Sequence, residues 1–158
     1  MSDNGRELML EAIRYSKQNM EDGSGGPFGA VIAMDGKIIA GASNKVTSTN
    51  DPTAHAEIEA IRLACKILNT FSLKGCEIYT SCEPCPMCLS AIHWARIDRI
   101  YYANSRKDAA EINFDDDFIY NEVSKPIEER FIPTVQMMRE EANEIFREWD
   151  KKEGKVEY

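Results

Sequence analysis

The spacing of apolar and polar residues predicts a helix followed by a β-hairpin near the start of the chain. Between residues 7 and 20, apolar side chains recur at intervals of three and four, which is typical of a helix with one buried face. Residues 28–34 and 37–42 form two short, mostly apolar runs. The Asp35-Gly36 dipeptide between them favours a tight turn, so the two runs are expected to pair as a hairpin.

The rest of the chain alternates between helical and strand patterns. The predicted elements are a helix at 54–68, a strand at 77–80, a helix at 85–96, strands at 99–103 and 134–138, and a final helix at 139–152. Strands joined through helices are expected to run parallel to one another. We therefore predict an α/β protein, a three-layer α/β/α sandwich around a mixed five-stranded sheet.

The length of 158 residues predicts a single domain, 1–158, because no repeat, low-complexity tract or long linker divides the chain. No stretch approaches the roughly 20 apolar residues of a membrane span. The first residues lack the apolar core of a secretory signal. We expect a soluble, cytoplasmic protein with no membrane partner.

The charge balance disfavours nucleic acid as a partner. The net charge is −8, from 27 acidic and 19 basic residues. Proteins that bind nucleic acid usually present a basic face to the phosphates, yet residues 139–158 alone hold seven acidic and five basic side chains. A small, uncharged substrate is therefore the expected ligand.

Three of the five cysteines lie close together, in the segment Cys82-Glu83-Pro84-Cys85-Pro86-Met87-Cys88. In a reducing compartment such a cluster indicates a metal site or catalysis rather than a disulfide. Cys85 and Cys88 are three residues apart, so at the start of a helix they share one face and can bind one ion. The helix N-terminus also favours thiolate over thiol. This motif alone leaves a structural zinc knuckle and a redox pair as alternatives.

His55 and Glu57 favour a catalytic metal over those alternatives. Because His55 is expected at the start of a second helix, two helix N-termini can meet at one ion. One histidine and two cysteines leave the fourth tetrahedral position open, as in catalytic zinc sites. Zinc bound in this way lowers the pKa of a bound water to roughly 7, and Glu57 can accept and return the proton. His93 is expected to be an ordinary core or surface residue.

The combination of His55-Ala56-Glu57 with Pro84-Cys85-Pro86-Met87-Cys88 matches the signature of zinc-dependent nucleobase deaminases. With the flanking residues 25–30, 50–57 and 80–88, it resembles the cytidine-deaminase-like superfamily. The features that resemble the bacterial guanine deaminase branch are residues 114–120, Lys125-Pro126, residues 128–130 and the terminal Glu157-Tyr158. The resemblance covers nearly the whole chain.

This resemblance implies hydrolytic deamination of guanine to xanthine and ammonia, in purine catabolism or salvage. It implies one Zn²⁺ per subunit, held by His55, Cys85 and Cys88, with Glu57 shuttling protons while hydroxide attacks C2 of guanine. The other site residues that it implies are Phe28 and Trp94 as apolar walls, Asn44 and the backbone of Ala56 as purine contacts, Asp116 at the guanine edge, and Tyr158 closing the pocket.

The resemblance further implies a homodimer in which the C-terminal helix and tail, 139–158, are exchanged, so that Tyr158 caps the partner's site. Each implied contact has a structural alternative. Asn44 is also suited to shape a turn, and Phe28 and Trp94 could be core residues. Residues 115–117 could form a solvated acidic loop, and Tyr158 by itself would be a frayed end.

Two details concern the residues around this site. Asn113 stands where the resemblance leads us to expect glycine, but asparagine also adopts a left-handed backbone, so we expect the loop to be preserved. Cys82 has no place among the ligands that the resemblance implies. We expect Cys65, Cys76 and Cys82 to be packing residues.

The sequence is also compatible with other functions. The nearest are deaminases of guanosine, cytosine or tRNA adenosine. The acidic C-terminal segment disfavours the tRNA substrate, whereas ribose tolerance depends on a pocket shape that sequence does not show. A non-catalytic zinc scaffold is the alternative from another class, and it leaves Glu57 without a role.

Overall fold

The computed structural model describes residues 3–158 and shows helices packed around one sheet. The helices are α1 (Asp3–Glu21), α2 (Val46–Thr49), α3 (Ala56–Leu68), α4 (Pro86–Trp94), α5 (Arg106–Glu111), α6 (Asp117–Ser124) and α7 (Arg139–Lys151). The strands are β1 (Gly29–Met34), β2 (Lys37–Ser43), β3 (Cys76–Cys82) and β4 (Arg99–Asn104), and a 3-10 turn lies at Ile127–Glu129. Every element predicted before residue 104 is present, with bounds that differ by at most four residues.

The sheet has the strand order β2-β1-β3-β4. Strand β1 pairs antiparallel with both β2 and β3, which confirms the hairpin. Strands β3 and β4 are parallel and are joined through α4, as predicted. Because parallel strands end at the same edge, the segments that follow β3 and β4 meet there, and the Glu83 N–H donates to the Asn104 carbonyl oxygen at 2.8 Å.

Different helices cover the two faces of the sheet, which confirms the three-layer arrangement. Successive residues of a strand face opposite sides, so Val31 and Ile32 belong to different clusters. The cluster on the α1 side contains Leu8, Ala12, Val31, Ala33 and Tyr79. The cluster on the other side contains Ala30, Ile32 and Ile78 of the sheet, Ala60 and Ala64 of α3, and Ile92 of α4. The small alanines of α3 let its backbone approach the sheet closely.

The prediction of a fifth strand is wrong for the described chain. Within residues 3–158 the sheet has four strands, and residues 134–138 form no strand. Val135 and Met137 are 76% and 77% exposed. A strand requires a neighbour that satisfies its backbone groups, and this segment lies beside none. The apolar residues of this segment are exposed side chains of a single chain, not the buried face of a strand.

The sequence pattern also missed the short helices α2, α5 and α6. Each has eight residues or fewer, which is too short for a helical period to stand out. Helix α5 did carry a local signal, because Ser105 and Asp108 form a capping box, in which the Asp108 carboxylate accepts from the Ser105 N–H at 2.7 Å.

Helix α7 confirms the predicted C-terminal helix. None of its residues is buried, and its apolar residues Ile145, Phe146 and Trp149 are exposed. No helix within residues 3–158 combines the length and apolar character needed to cross a bilayer.

The contact between α1 and β1 tolerates no side chain at Gly29. A Cβ atom there would lie 2.3 Å from the Ala12 carbonyl oxygen and 2.6 Å from the Ser16 nitrogen. We expect Gly29→Ala to lower the free energy of unfolding by about 1–3 kcal/mol, because backbone must move to accept the methyl group. Urea denaturation measures the change. The control is Glu144→Ala on exposed α7, with an expected change within about 0.5 kcal/mol. Equal stability of the two variants would contradict the close contact.

Candidate active site

Two helix N-termini converge on three donor side chains. His55 is the N-cap residue of α3 and Cys85 that of α4, and both have an extended backbone. Cys88 follows in the first turn of α4 and is fully buried. Pro86 at the start of α4 suits the helix because that position needs no N–H donor. The predicted meeting of the two helix starts is therefore present.

The three donors fit a tetrahedral zinc site. The Nδ1 atom of His55 lies 3.6 Å from the Cys85 Sγ atom and 3.5 Å from the Cys88 Sγ atom. All three ligand atoms lie within 4.8 Å of one another. Zinc bonds of about 2.0–2.1 Å to nitrogen and about 2.3 Å to sulfur at tetrahedral angles require a separation of about 3.6 Å between nitrogen and sulfur. The observed distances meet that requirement, and the donor set leaves one coordination position for another ligand.

The two thiols affect each other's ionisation. Hydrogen bonds from the Cys88 thiol, from His55 and from the Cys88 backbone N–H lower the pKa of Cys85 to about 4, although burial opposes them. The same thiol contact, together with burial, raises the pKa of Cys88. A bound divalent cation holds its coordinating thiols as thiolates, so zinc would remove this asymmetry and keep both cysteines ionised.

Glu57 lies beside the donors in the first turn of α3. Only 8% of the residue is exposed, and it lines the same cavity as His55 and Cys85. Burial raises the pKa of its carboxyl group, while a backbone hydrogen bond opposes the shift. A raised pKa strengthens the carboxylate as a base, which suits a group that must accept a proton and return it.

The cavity beside the donors has a volume of about 440 Å³. The predicted site residues that line it are Phe28, Asn44, His55, Glu57, Cys85 and Asp116. Phe114 also lines it, and its ring meets that of Phe28 edge to face with centroids 4.9 Å apart. The two rings form an apolar wall of a size suited to a flat heterocycle. Sequence reasoning did not assign a role to Phe114, although an aromatic residue directly before three aspartates was the available signal.

Asn44 combines a structural contact with a place at the cavity. It follows β2 and is 7% exposed. Its side-chain Oδ1 atom accepts a hydrogen bond from the Val46 N–H at 3.1 Å. The turn-shaping alternative is therefore real, but it occupies only the oxygen. The Nδ2 group is the part of the side chain that is left to donate to a ligand.

The three consecutive aspartates have different surroundings. Asp115 also lines the cavity, and its carboxylate accepts from the Asp117 N–H at 2.9 Å, whereas the Asp117 carboxylate lies 3.6 Å from the Arg106 guanidinium. Asp116 precedes α6 and lines the cavity, where burial and then the negative charge of Cys85 raise the pKa of its carboxyl group. Asn113 adopts a left-handed backbone with φ of 68°, as expected for a residue in place of glycine.

Three of the implied purine contacts lie outside this group of cavity-lining side chains. The Ala56 side chain is buried in the core, between His55 and Glu57 in sequence. Trp94 ends α4 and is 64% exposed, and its ring centroid lies 6.0 Å from that of Tyr158. A single chain therefore brings Trp94 and Tyr158 to each other but not to the walls of the cavity.

The remaining cysteines contribute no ligand to the three-donor cluster. Cys76 is buried, and Cys65 packs against the same apolar cluster. Cys82 borders the cavity, and its thiol lies 3.7 Å from the Ser105 carbonyl oxygen, to which it donates. Burial is the main cause that raises the pKa of Cys82 to about 11, and the negative charge of Glu57 is the second cause. It therefore stays a neutral thiol next to the site.

The family model for the cytidine and deoxycytidylate deaminase zinc-binding region matches residues 2–104. The chain belongs to this deaminase family. The match includes the three donors and Glu57, whereas Phe114 and Asp116 lie beyond its end. The family thus accounts for the metal centre, and the far wall of the cavity is built from a segment that follows the shared region.

Individual relatives extend over more of the chain. Guanine deaminase of Bacillus subtilis (strain 168) is 51% identical over 155 residues, which cover 98% of this chain and 99% of that protein. An X-ray structure of guanine deaminase from Bacillus subtilis is similar with a TM-score of 0.94 and 50% identity, covering 100% of this chain and 99% of the other. The tRNA-specific adenosine deaminase of Aquifex aeolicus is 37% identical over 150 residues, covering 94% of this chain and 95% of that protein.

A metal-binding assay tests the donor set. We expect about one zinc per chain in the unaltered protein and loss of most of it in Cys88→Ala, because only two of the three protein ligands remain. Atomic absorption after gel filtration measures the metal, and circular dichroism checks the fold. Cys82→Ala is the matched control, since it removes a thiol from the same segment, and it should keep its zinc. Retention of a full equivalent of zinc by Cys88→Ala would contradict the assignment.

Proposed function

We propose that this protein catalyses the zinc-dependent hydrolysis of guanine to xanthine and ammonia. The observation that carries the proposal is the similarity to guanine deaminase of Bacillus subtilis over 98% of this chain, far beyond the zinc-binding region at residues 2–104. The site supplies the groups that this reaction needs. A metal-donor cluster, a buried carboxyl group and an aromatic wall border one cavity.

Glu57 carries the protons between water and the purine. Zinc, when bound by His55, Cys85 and Cys88, supplies Lewis acidity that activates the attacking water. Glu57 accepts a proton from that water as its oxygen adds to C2, and it delivers the proton to the adjacent ring nitrogen. Glu57 then takes the proton of the new C2 hydroxyl group and transfers it to the exocyclic amine, the C2–N bond to that amine breaks, and ammonia leaves. One water is consumed, and C2 ends as the carbonyl carbon of xanthine.

The other cavity residues bind and orient the base. Asn44 donates from its Nδ2 group to an acceptor on the purine, and Phe28 with Phe114 excludes water from one side. Asp116 reads the guanine edge or assists protonation there. Its raised pKa suits the second role, because burial makes the carboxyl group easier to protonate. The backbone of Ala56 faces the substrate between the metal ligand and Glu57.

We infer that the working unit is a homodimer with exchanged C-terminal segments, residues 139–158. One chain leaves many apolar side chains of its last third exposed, among them Phe131, Ile132, Val135, Met137, Ile145 and Phe146. Such a surface is typical of an interface rather than of an isolated monomer. In the exchanged arrangement, Tyr158 and the neighbouring Trp94 of the same chain reach the partner's pocket, and Tyr158 closes it. These two residues therefore keep their proposed roles as pocket wall and cap.

The proposed setting is the cytoplasm, with a small purine and no nucleic acid as the partner. The cysteines at 65, 76, 82, 85 and 88 are all free, which suits a reducing compartment. The excess of acidic residues disfavours contact with phosphates.

Deamination of adenosine in tRNA is the second candidate. It is favoured by the 37% identity to the tRNA-specific enzyme of Aquifex aeolicus over 94% of this chain. The acidic C-terminal segment opposes it, since a bound anticodon stem would place phosphates near the cavity. Guanosine and cytosine are further alternatives within the same chemistry. A zinc scaffold without activity would leave the buried Glu57 with no function.

Ammonia release from a panel of substrates tests the proposal. The panel contains guanine, guanosine, adenine, cytosine and a tRNA anticodon stem. We expect turnover of guanine well above that of every other member, with about one zinc per chain measured alongside. Turnover of a different member would keep the zinc chemistry and contradict the assigned specificity. Bound zinc without turnover of any member would support the scaffold.

Replacement of Glu57 separates chemistry from metal binding. Because Glu57 is not among the three donors, Glu57→Gln should keep its zinc but lose about 10²- to 10⁴-fold in kcat, as the amide cannot shuttle protons. Steady-state kinetics with guanine measures the loss. Glu59→Gln, two residues further along α3, is the control and should retain full activity. Substantial turnover by Glu57→Gln would remove Glu57 from the mechanism.

A further inference from the structure

Asn19 of α1 is a buried polar residue that the mechanism above does not use. It is 6% exposed. Helix α1 packs on the sheet face opposite to the one that carries α3 and α4, and so it lies on the far side of the sheet from the metal donors. Burial of a carboxamide is costly unless hydrogen bonds compensate for it. The location of those hydrogen bonds therefore indicates what Asn19 does.

Both hydrogen bonds of the Asn19 amide reach segments that line the substrate cavity. Its Nδ2 group donates to the Gly26 carbonyl oxygen at 2.8 Å and to the Asn44 carbonyl oxygen at 2.9 Å. Gly26 and Asn44 themselves border the cavity, as does Phe28 two residues after Gly26. One side chain thus joins the segment before β1 to the segment after β2.

Neighbouring contacts leave little freedom for these two segments. The Ser16 hydroxyl donates to the Pro27 carbonyl oxygen at 2.7 Å, and the Asn44 N–H donates to the Phe28 carbonyl oxygen at 3.1 Å. At Gly25, a Cβ atom would lie 2.5 Å from the Asn44 carbonyl oxygen. Phe28 and Asn44 therefore lie side by side at the cavity through a direct backbone hydrogen bond, and Asn19 ties the segments that carry them to each other.

We propose that Asn19 is a positioning residue for purine binding, which acts by fixing the Asn44 side chain relative to the aromatic wall. The inference depends on the proposed deamination of guanine. It assigns to α1, which carries no catalytic residue, a specific effect on KM. Misplacement of a contact by about 1 Å can reduce the rate by about 10²-fold, so small shifts of Asn44 have measurable consequences.

Asn19→Asp is the test, because it preserves the shape of the side chain and changes its donors. A carboxylate offers no hydrogen to either carbonyl oxygen, and a protonated carboxyl group offers one. We expect KM for guanine to rise about tenfold or more, while kcat falls by less and zinc stays at about one per chain. Gln18→Glu is the control. It places the same new charge one residue away on an exposed position of α1 and should leave KM and kcat unchanged.

A double-mutant cycle with Asn44→Ala separates positioning from general destabilisation. If Asn19 acts through Asn44, Asn19→Asp will raise KM much less in the Asn44→Ala background than in the unaltered protein. An equal increase in KM on Asn19→Asp in the unaltered protein and in the Asn44→Ala background would overturn the proposal. Where Asn19→Asp does not fold, Ser16→Ala removes a single hydrogen bond to the same segment. It should then raise KM by a smaller factor that is also reduced in the Asn44→Ala background.

The outcomes distinguish this inference from the proposed function. If the unaltered protein deaminates guanine and Asn19→Asp has the same KM, only the role of Asn19 is overturned. If the unaltered protein turns over no purine, the proposed function fails and this inference fails with it.

Discussion

The structure of the site depends on the convergence of two helix N-termini on a single point. Strands β1 and β3 lie side by side, and α3 and α4 pack on the same face of the sheet, so that His55 and Cys85 begin their helices next to each other. Free N–H groups at both helix starts favour negative charge there. The two helix starts together can therefore place two thiolates and one imidazole around one point, which neither helix start could do alone.

Each half of the chemical centre could be predicted from sequence because each half is local. His55, Glu57, Cys85 and Cys88 are paired at short spacings on predicted helix starts, and the helical period fixes which side chains share a face. The hairpin and the parallel pair of strands followed from an equally local signal, a turn dipeptide and apolar runs. Each of these features needs only a few neighbouring residues to be specified.

What the sequence did not reveal depends on contacts between residues that are distant in the chain. Phe114 meets Phe28 across 86 residues, and the two amide hydrogen bonds of Asn19 join segments that no periodicity connects. Residues 134–138 have the composition of a strand but no neighbour, so propensity was overruled by the absence of a pairing edge. Trp94 and Tyr158 illustrate the same limit, because in one chain their rings lie next to each other and not at the cavity where the resemblance implies them.

The neutral thiol of Cys82 affects how this cavity can be addressed chemically. Thiolates, not thiols, are the nucleophiles towards electrophilic reagents, and a pKa of about 11 leaves Cys82 almost entirely protonated near neutrality. A cysteine-directed inhibitor seated in the cavity would therefore acylate or alkylate it slowly. The same property spares the residue from oxidation, which follows thiolate character.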